Sequence, residues 1–107
     1  MSDVNKVILV GRAGRDPEVR EEEEGRVGWL SVSTRNPDPG EVAWHRVRFT
    51  GDVLRMAEQF VSRGDRLYIE GRIIYGAYVR DGVTIPTAEV LASEMVLLGM
   101  VPLGRRS

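Results

Sequence analysis

The hydrophobic and polar residues of this chain alternate with a period of two along much of its length. This spacing is typical of β-strands, because successive side chains of a strand point to opposite faces. The predicted strands are the segments that alternate or are apolar throughout, at 4–10, 26–34, 44–51, 66–75 and 87–98. A shorter extended piece is expected around Val19, and turn residues such as Asp16-Pro17, 36–40 and Asp81-Gly82 separate the strands.

Only one segment has helical spacing. Between 52 and 64 apolar residues recur three or four positions apart, with Asp52 as the predicted N-cap and Gly64 as the stop. The apolar face of this helix is expected to cover the open end of a sheet. Five strands with one helix between the third and the fourth follow the order of an all-β, five-stranded OB-fold barrel, an architecture that binds oligonucleotides or oligosaccharides.

Composition narrows the class of protein. A chain of 107 residues, 42% hydrophobic and 29% charged, is expected to form a single domain over 1–107. No apolar run is long enough to cross a membrane or to act as a signal peptide, so we expect a soluble intracellular protein. With no Cys and only one His, no metal site is expected, and the sequence carries no cofactor or catalytic motif.

The strand at 44–51, WHRVRFTG, carries the clearest candidate chemistry. Its alternation places Trp44, Arg46 and Arg48 together on one face. An exposed ring can stack on an unpaired base while guanidinium groups neutralise phosphates, which is how proteins bind single-stranded nucleic acid. From these residues alone, the alternative is an ordinary exposed strand with solvated Arg side chains.

The distribution of charge matters more than the net charge of −1, which by itself argues against a nucleic-acid binder. Four of the sixteen acidic residues form one run at 21–24, in a predicted turn away from any binding face. All but one of the fifteen cations are Arg, the side chain better suited to phosphate and base contacts. A basic path is therefore expected beside Trp44, with Arg12, Arg15 and Arg20 as the alternative path.

Four blocks of sequence resemble the bacterial single-stranded DNA-binding protein family, in order and at the family's spacing. They are VNKVILVGRAGRDPEVR at 4–20, WHRV at 44–47, RGDRLYIEGR at 63–72 and SEMVLLG at 93–99. The resemblance implies an OB fold that assembles as a homotetramer, and the first strand at 4–10, which is apolar on both faces, independently predicts a homotetramer or at least a dimer. The resemblance also implies a cytoplasmic, nucleoid-associated protein that coats single-stranded DNA in replication, recombination and repair, with no cofactor and no catalysis.

Two rings are carried over from the family by position. Trp44 matches a base-stacking aromatic of the third strand, and Tyr78 occupies the hairpin position where a Trp or another aromatic is common. A second third-strand aromatic falls on Thr50, and a family Lys falls on Asp52, which is expected to cap the helix instead. The loop at 36–40 lacks the aromatic and the cations that family members often have there.

Departures from the family pattern add candidates. Arg48 stands where the family usually has an apolar residue, and Trp29 stands where a small or polar residue is common. Both have the parity of residues predicted to face outward. This suggests that the base-stacking rings of this chain lie at positions other than those usual in the family. The predicted stacking rings are Trp29, Trp44 and Tyr78, and the predicted phosphate partners are Arg46, Arg48, Arg72 and Arg35. The alternatives are burial of Trp29 beneath a loop or at a subunit contact, packing of Tyr78 at the hairpin tip, and pairing of Arg72 with Glu70 or an acid across the sheet.

Other residues point to assembly and to a second function. The parity of His45, opposite to that of Trp44, predicts a hydrogen-bonded structural residue, and the resemblance to the family implies that His45 and Tyr68 lie near subunit contacts. The residues at 100–107 are expected to be a short C-terminal extension, and recruitment of repair proteins through an acidic tip is not expected. The missing aromatic at Thr50 and the missing loop cations favour the alternative function, an OB-fold accessory module of primosomal or plasmid type with weakened DNA binding.

Overall fold

A computed structural model describes residues 2–38 and 40–99, which contain six β-strands and one α-helix. In chain order they are β1 at Val7–Ala13, β2 at Glu18–Glu22, β3 at Gly25–Arg35, β4 at Val42–Phe49, α1 at Gly51–Phe60, β5 at Arg66–Arg80 and β6 at Val83–Leu98. The short β2 is the extended piece expected around Val19. The predicted extension at 100–107 lies outside the described residues.

The strands close into a barrel. They are hydrogen-bonded in the order β1-β5-β6-β4-β3-β2, and β1 also pairs with β3, which joins the two sides of the sheet. Among the described pairings only β4 with β6 is parallel. With β2 counted as the continuation of β1, five strands and a helix between the third and the fourth confirm the predicted OB fold.

Two glycines permit this closure. A Cβ on Gly11, where β1 passes from β5 to β3, would overlap the backbone carbonyl of Ser33. A Cβ on Gly71, beside a register shift in the pairing of β5 with β6, would overlap the carbonyl of Leu91. Only glycine fits where two backbones approach this closely.

Alternate residues of the strands fill the barrel. The largest fully buried side chains are Phe49, Leu30, Leu67, Ile69, Val32 and Val47. Leu54 and Ala57 of α1 join the same core, so the helix covers the barrel as expected. The inward parity of β4 leaves Trp44, Arg46 and Arg48 on the outer face, as the alternation predicts.

The helix boundaries differ from the prediction. Thr50 is the N-cap, because its extended backbone at the end of β4 leads directly into the helix. Asp52 therefore lies within the first turn, where its carboxylate pairs with Arg55, and the predicted capping role of Asp52 is wrong. The helix ends at Phe60, before Gly64, because the residue after Phe60 already has an extended backbone.

The ends of the strands also shift. β1 begins at Val7 instead of Val4, since the residues before Val7 have no strand pairing in the described chain. The predicted hairpin is confirmed at Asp81 and Gly82, which both have positive φ, the geometry of a tight type I′ turn. No helix in the described part of the chain is both long enough and apolar enough to cross a bilayer.

Candidate nucleic-acid interface

Trp44 presents an exposed ring on the outer face of β4. Its side chain is 62% exposed, whereas Val47 and Phe49 of the same strand are fully buried. The ring packs against the backbone of Gly14, where an added Cβ would lie 2.5 Å from the Trp44 Cζ3 atom. Glycine at this position therefore seats the indole and leaves much of its surface open to a base.

Arg46 and Tyr78 line one open groove of about 550 Å³ between β4 and the hairpin of β5 and β6. The Tyr78 side chain is 49% exposed. Arg46 Nε donates a hydrogen bond to Glu89 Oε2 at 2.5 Å, and the same two atoms form an ion pair. The structure thus brings two predicted site residues together, with Glu89 as a competitor for the guanidinium.

Trp29 is buried, contrary to the expectation of an exposed stacking ring. Its side chain is 8% exposed, although it lies on the outer face of β3, away from the main core cluster. Three guanidinium carbons lie over the indole, those of Arg20 and Arg46 each at 5.3 Å and that of Arg48 at 5.8 Å from the ring centroid. The prediction that Trp29 is an exposed base-stacking ring is therefore wrong.

The physical reason for this burial is the register of neighbouring strands. Trp29 lies directly opposite Glu18 of β2 and Arg48 of β4. Long Arg side chains cover apolar surface and are attracted to the face of an indole. The Trp29 Nε1 atom is buried and has no hydrogen-bond partner among the described residues. The face of the indole is thus its contact surface, and the guanidinium groups of Arg20, Arg46 and Arg48 lie over it.

Arg48 and Arg72 lie in one row across the outer face. Leu91 of β6 pairs with Arg48 on one side and with Arg72 on the other. The alternative pairing of Arg72 with Glu70 is absent from the described ion pairs; Glu70 instead contacts Lys6 at 3.6 Å. Arg72 is exposed and has no carboxylate partner among the described residues.

Arg35 does not lie with the other predicted phosphate partners. It lines a separate cleft of about 330 Å³ together with Arg12 and Arg66. Arg66 was not among the predicted site residues, and Arg12 belonged only to the alternative basic path. The pairing of β1 with β5, which places Arg12 opposite Arg66, is a long-range contact that no local pattern of residues predicts.

His45 and Tyr68 are hydrogen-bonded. His45 Nε2 lies 2.8 Å from Thr34 Oγ1, which confirms the structural hydrogen bond expected for His45. The Tyr68 hydroxyl donates to Glu70 Oε1 at 2.9 Å. This hydrogen bond, then burial and the negative charge of Glu70, raise the pKa of Tyr68 above its ordinary value, so Tyr68 remains neutral.

Comparison with known proteins identifies the group to which this barrel belongs. A model of the Single-strand binding protein family matches residues 4–98. The chain belongs to this family. Similar members include the single-stranded DNA-binding proteins of Xanthomonas campestris pv. campestris, at 35% identity, and of Neisseria meningitidis serogroup A, at 38%, each covering 90% of this chain. The chain spans about three fifths of their length, 61% and 60%.

A solved structure agrees with the fold of this single-strand binding protein family member. The structure described as "Plasmodium falciparum SSB complex with ssDNA" superposes with a TM-score of 0.79 and covers 92% of this chain and 98% of that one. At 20% identity the likeness establishes the fold alone. Within the described ranges, no three His, Asp or Glu side chains lie together as metal ligands.

Proposed function

We propose that this chain binds single-stranded DNA without sequence specificity and protects it during replication, recombination and repair. The observation that carries the proposal is the exposed Trp44 ring, seated on Gly14 and flanked by Arg46 on the same strand face. Relatives at 35% and 38% identity are named single-stranded DNA-binding proteins. The proposal includes no catalytic step, and it assigns the protein to the cytoplasm, at the nucleoid, where single strands arise.

Binding would combine stacking with neutralisation of phosphates. A base stacks on the free face of Trp44, and Tyr78 offers a second ring at the groove beside the hairpin. Arg46, Arg48 and Arg72 face the same side of the sheet and serve as phosphate partners. Phosphate must compete with Glu89 for Arg46, because the Arg46 side chain is 50% exposed and reachable from solvent whereas Glu89 is only 17% exposed.

Two contacts favour a second candidate, the OB-fold accessory module with weakened DNA binding. Glu89 engages Arg46, and the cover over Trp29 removes one of the three predicted rings. Titration of the full chain with oligothymidylate, followed by anisotropy of a labelled strand, separates the two candidates. Saturable binding at about 0.1 M salt supports the DNA binder, and the absence of binding even at low salt supports the accessory module.

Arg48→Val is expected to make the salt dependence of this binding shallower. Each phosphate neutralised on a single strand contributes about −0.7 to the slope of log affinity against log salt concentration. Arg48 has no carboxylate partner among the described residues, so its loss should change the slope by about this amount. Glu23→Gln, in the exposed acidic turn, is the control and should leave the slope unchanged. An unaltered slope for Arg48→Val would remove Arg48 from the phosphate path.

We further propose that the chain assembles as a homotetramer, or at least as a dimer, through β1. Ile8 and Val10 on the outer face of this strand are 54% and 42% exposed, whereas Leu9 points into the core. Apolar side chains grouped on one strand face favour burial between subunits. His45 and Tyr68 are proposed to lie at or near the contacts.

Ile8→Asp is expected to lower the oligomeric state without unfolding the protomer, since Ile8 packs little within it. Sedimentation equilibrium at micromolar concentration measures this change. Val83→Asp, at the 61% exposed Val83 of the hairpin, is the matched control and should sediment as the unsubstituted protein does. A monomer for the unsubstituted chain would contradict the proposed assembly.

A further inference from the structure

Three arginines converge on a cleft that no candidate ring lines. Arg12, Arg35 and Arg66 line this arginine cleft, whose volume is about 330 Å³ and whose wall includes the backbone of Gly11. The guanidinium of Arg12 is held in place, because its Nη1 donates to the carbonyl of Gly64 at 3.1 Å. Most of the five N–H donors of that group remain available for a ligand.

The electrostatics of the arginine cleft are unfavourable in the free protein. Arg12 and Arg66 are direct partners across β1 and β5, and like charges directly opposite each other destabilise a sheet. None of the three arginines forms an ion pair with a carboxylate in the described part of the chain. An anion bound between Arg12 and Arg66 would replace this repulsion with attraction.

The arginine cleft lies beside Trp44, in register with it across β3. Ser33 pairs with Arg12 on one side and with Trp44 on the other, so the three side chains share one row on the outer face. Neighbouring strands lie about 5 Å apart, which places the Cα atoms of Arg12 and Trp44 about 10 Å from each other. A nucleotide stacked on Trp44 can therefore extend its backbone into the arginine cleft.

We infer that the arginine cleft binds backbone phosphates of the single strand whose base stacks on Trp44. This inference rests on the proposed function. It extends the path of the bound DNA strand away from Arg46 and Tyr78, across β3, to β1 and β5. The ligand chemistry is a phosphodiester, which suits the planar, multidentate guanidinium group. A carboxylate from a second copy of the chain is the competing occupant, because Val10 of the proposed subunit face also lines the cleft.

The test compares Arg12→Gln, Arg66→Gln and the double variant with Arg55→Gln, which removes the same charge from α1. The probe is oligothymidylate of about 16 nucleotides, close to the longest site of one OB fold. At −0.7 per phosphate, each lost contact should lower affinity about fivefold at 0.1 M salt, with the difference vanishing near 1 M. Arg55→Gln should bind as the unsubstituted protein does.

Two further readouts separate a binding role from a structural one. Fluorescence quenching at saturation should be unchanged in the double variant, because the stacked ring is untouched. Arg66→Gln should also raise the denaturant midpoint of the DNA-free protein, since the substitution relieves the repulsion with Arg12. Weaker binding by a more stable protein identifies a ligand site.

Each contrary result has a distinct meaning. Normal DNA binding and an unchanged salt slope in the double variant overturn the arginine cleft as a phosphate site and leave the proposed function intact. If the double variant has a changed sedimentation coefficient but binds DNA normally, the phosphate site is overturned, and a carboxylate from a second copy of the chain is the occupant of the cleft. Failure of the unsubstituted protein to bind any oligothymidylate overturns the proposed function, and the inference with it.

Discussion

Trp44→Ala is expected to weaken binding of oligothymidylate by about 1 to 3 kcal/mol, the range measured for removal of one base-stacking ring. The ring is 62% exposed and rests on Gly14, so its loss should take away a stacking surface without opening the core. Anisotropy of a labelled oligonucleotide measures the affinity without relying on the fluorescence of the ring that has been removed.

Trp44→Phe is the matched variant, because it keeps a flat ring of smaller area at the same position. Its affinity should lie between those of the unsubstituted protein and Trp44→Ala. Denaturant unfolding should show nearly equal stability for all three proteins, since the exposed indole packs little apolar surface. A folded Trp44→Ala protein with unchanged affinity would exclude Trp44 from the interface.

In contrast to Trp44→Ala, which should lower affinity at nearly unchanged stability, Trp29→Ala should greatly lower the stability of the protein. Truncation of a buried Trp lowers the free energy of unfolding by about 3 to 5 kcal/mol. Trp29 is 8% exposed, and its loss would also remove the surface on which Arg20, Arg46 and Arg48 lie. Chemical denaturation followed by circular dichroism measures this change.

Trp29→Phe separates packing from a direct role in binding. A phenyl ring keeps a face for the guanidinium groups, so this variant should lose less stability than Trp29→Ala. Its affinity for oligothymidylate should stay close to that of the unsubstituted protein, because the covered ring is no platform for a base. A Trp29→Ala protein as stable as the unsubstituted one would contradict a packing role for the indole beneath Arg20, Arg46 and Arg48.

Much of the fold could be predicted from the sequence because its signals are local. The period of two, the turn residues and the helical spacing at 52–64 are properties of neighbouring residues, and together they indicate five long strands and one helix. The parity of Trp44, Arg46 and Arg48 is equally local, and the structure places all three on the outer face of β4. The predicted N-cap was wrong because Asp is a residue type that favours the N-cap position, whereas the chain enters the helix at Thr50, directly after β4 ends.

The alternation of a strand assigns a side chain to a face, but it does not determine what covers that face. Trp29 has the outward parity, and it is buried because the sheet pairing brings arginines of β2 and β4 over its ring. Arg46 meets Glu89, 43 residues away, only through the parallel pairing of β4 with β6. The sequence by itself thus determined the strands, the OB fold and the position of Trp44 on the outer face of β4. Tertiary structure alone decided the cover over Trp29 and the arginine cleft, because both depend on strand pairings between residues that are far apart in the chain.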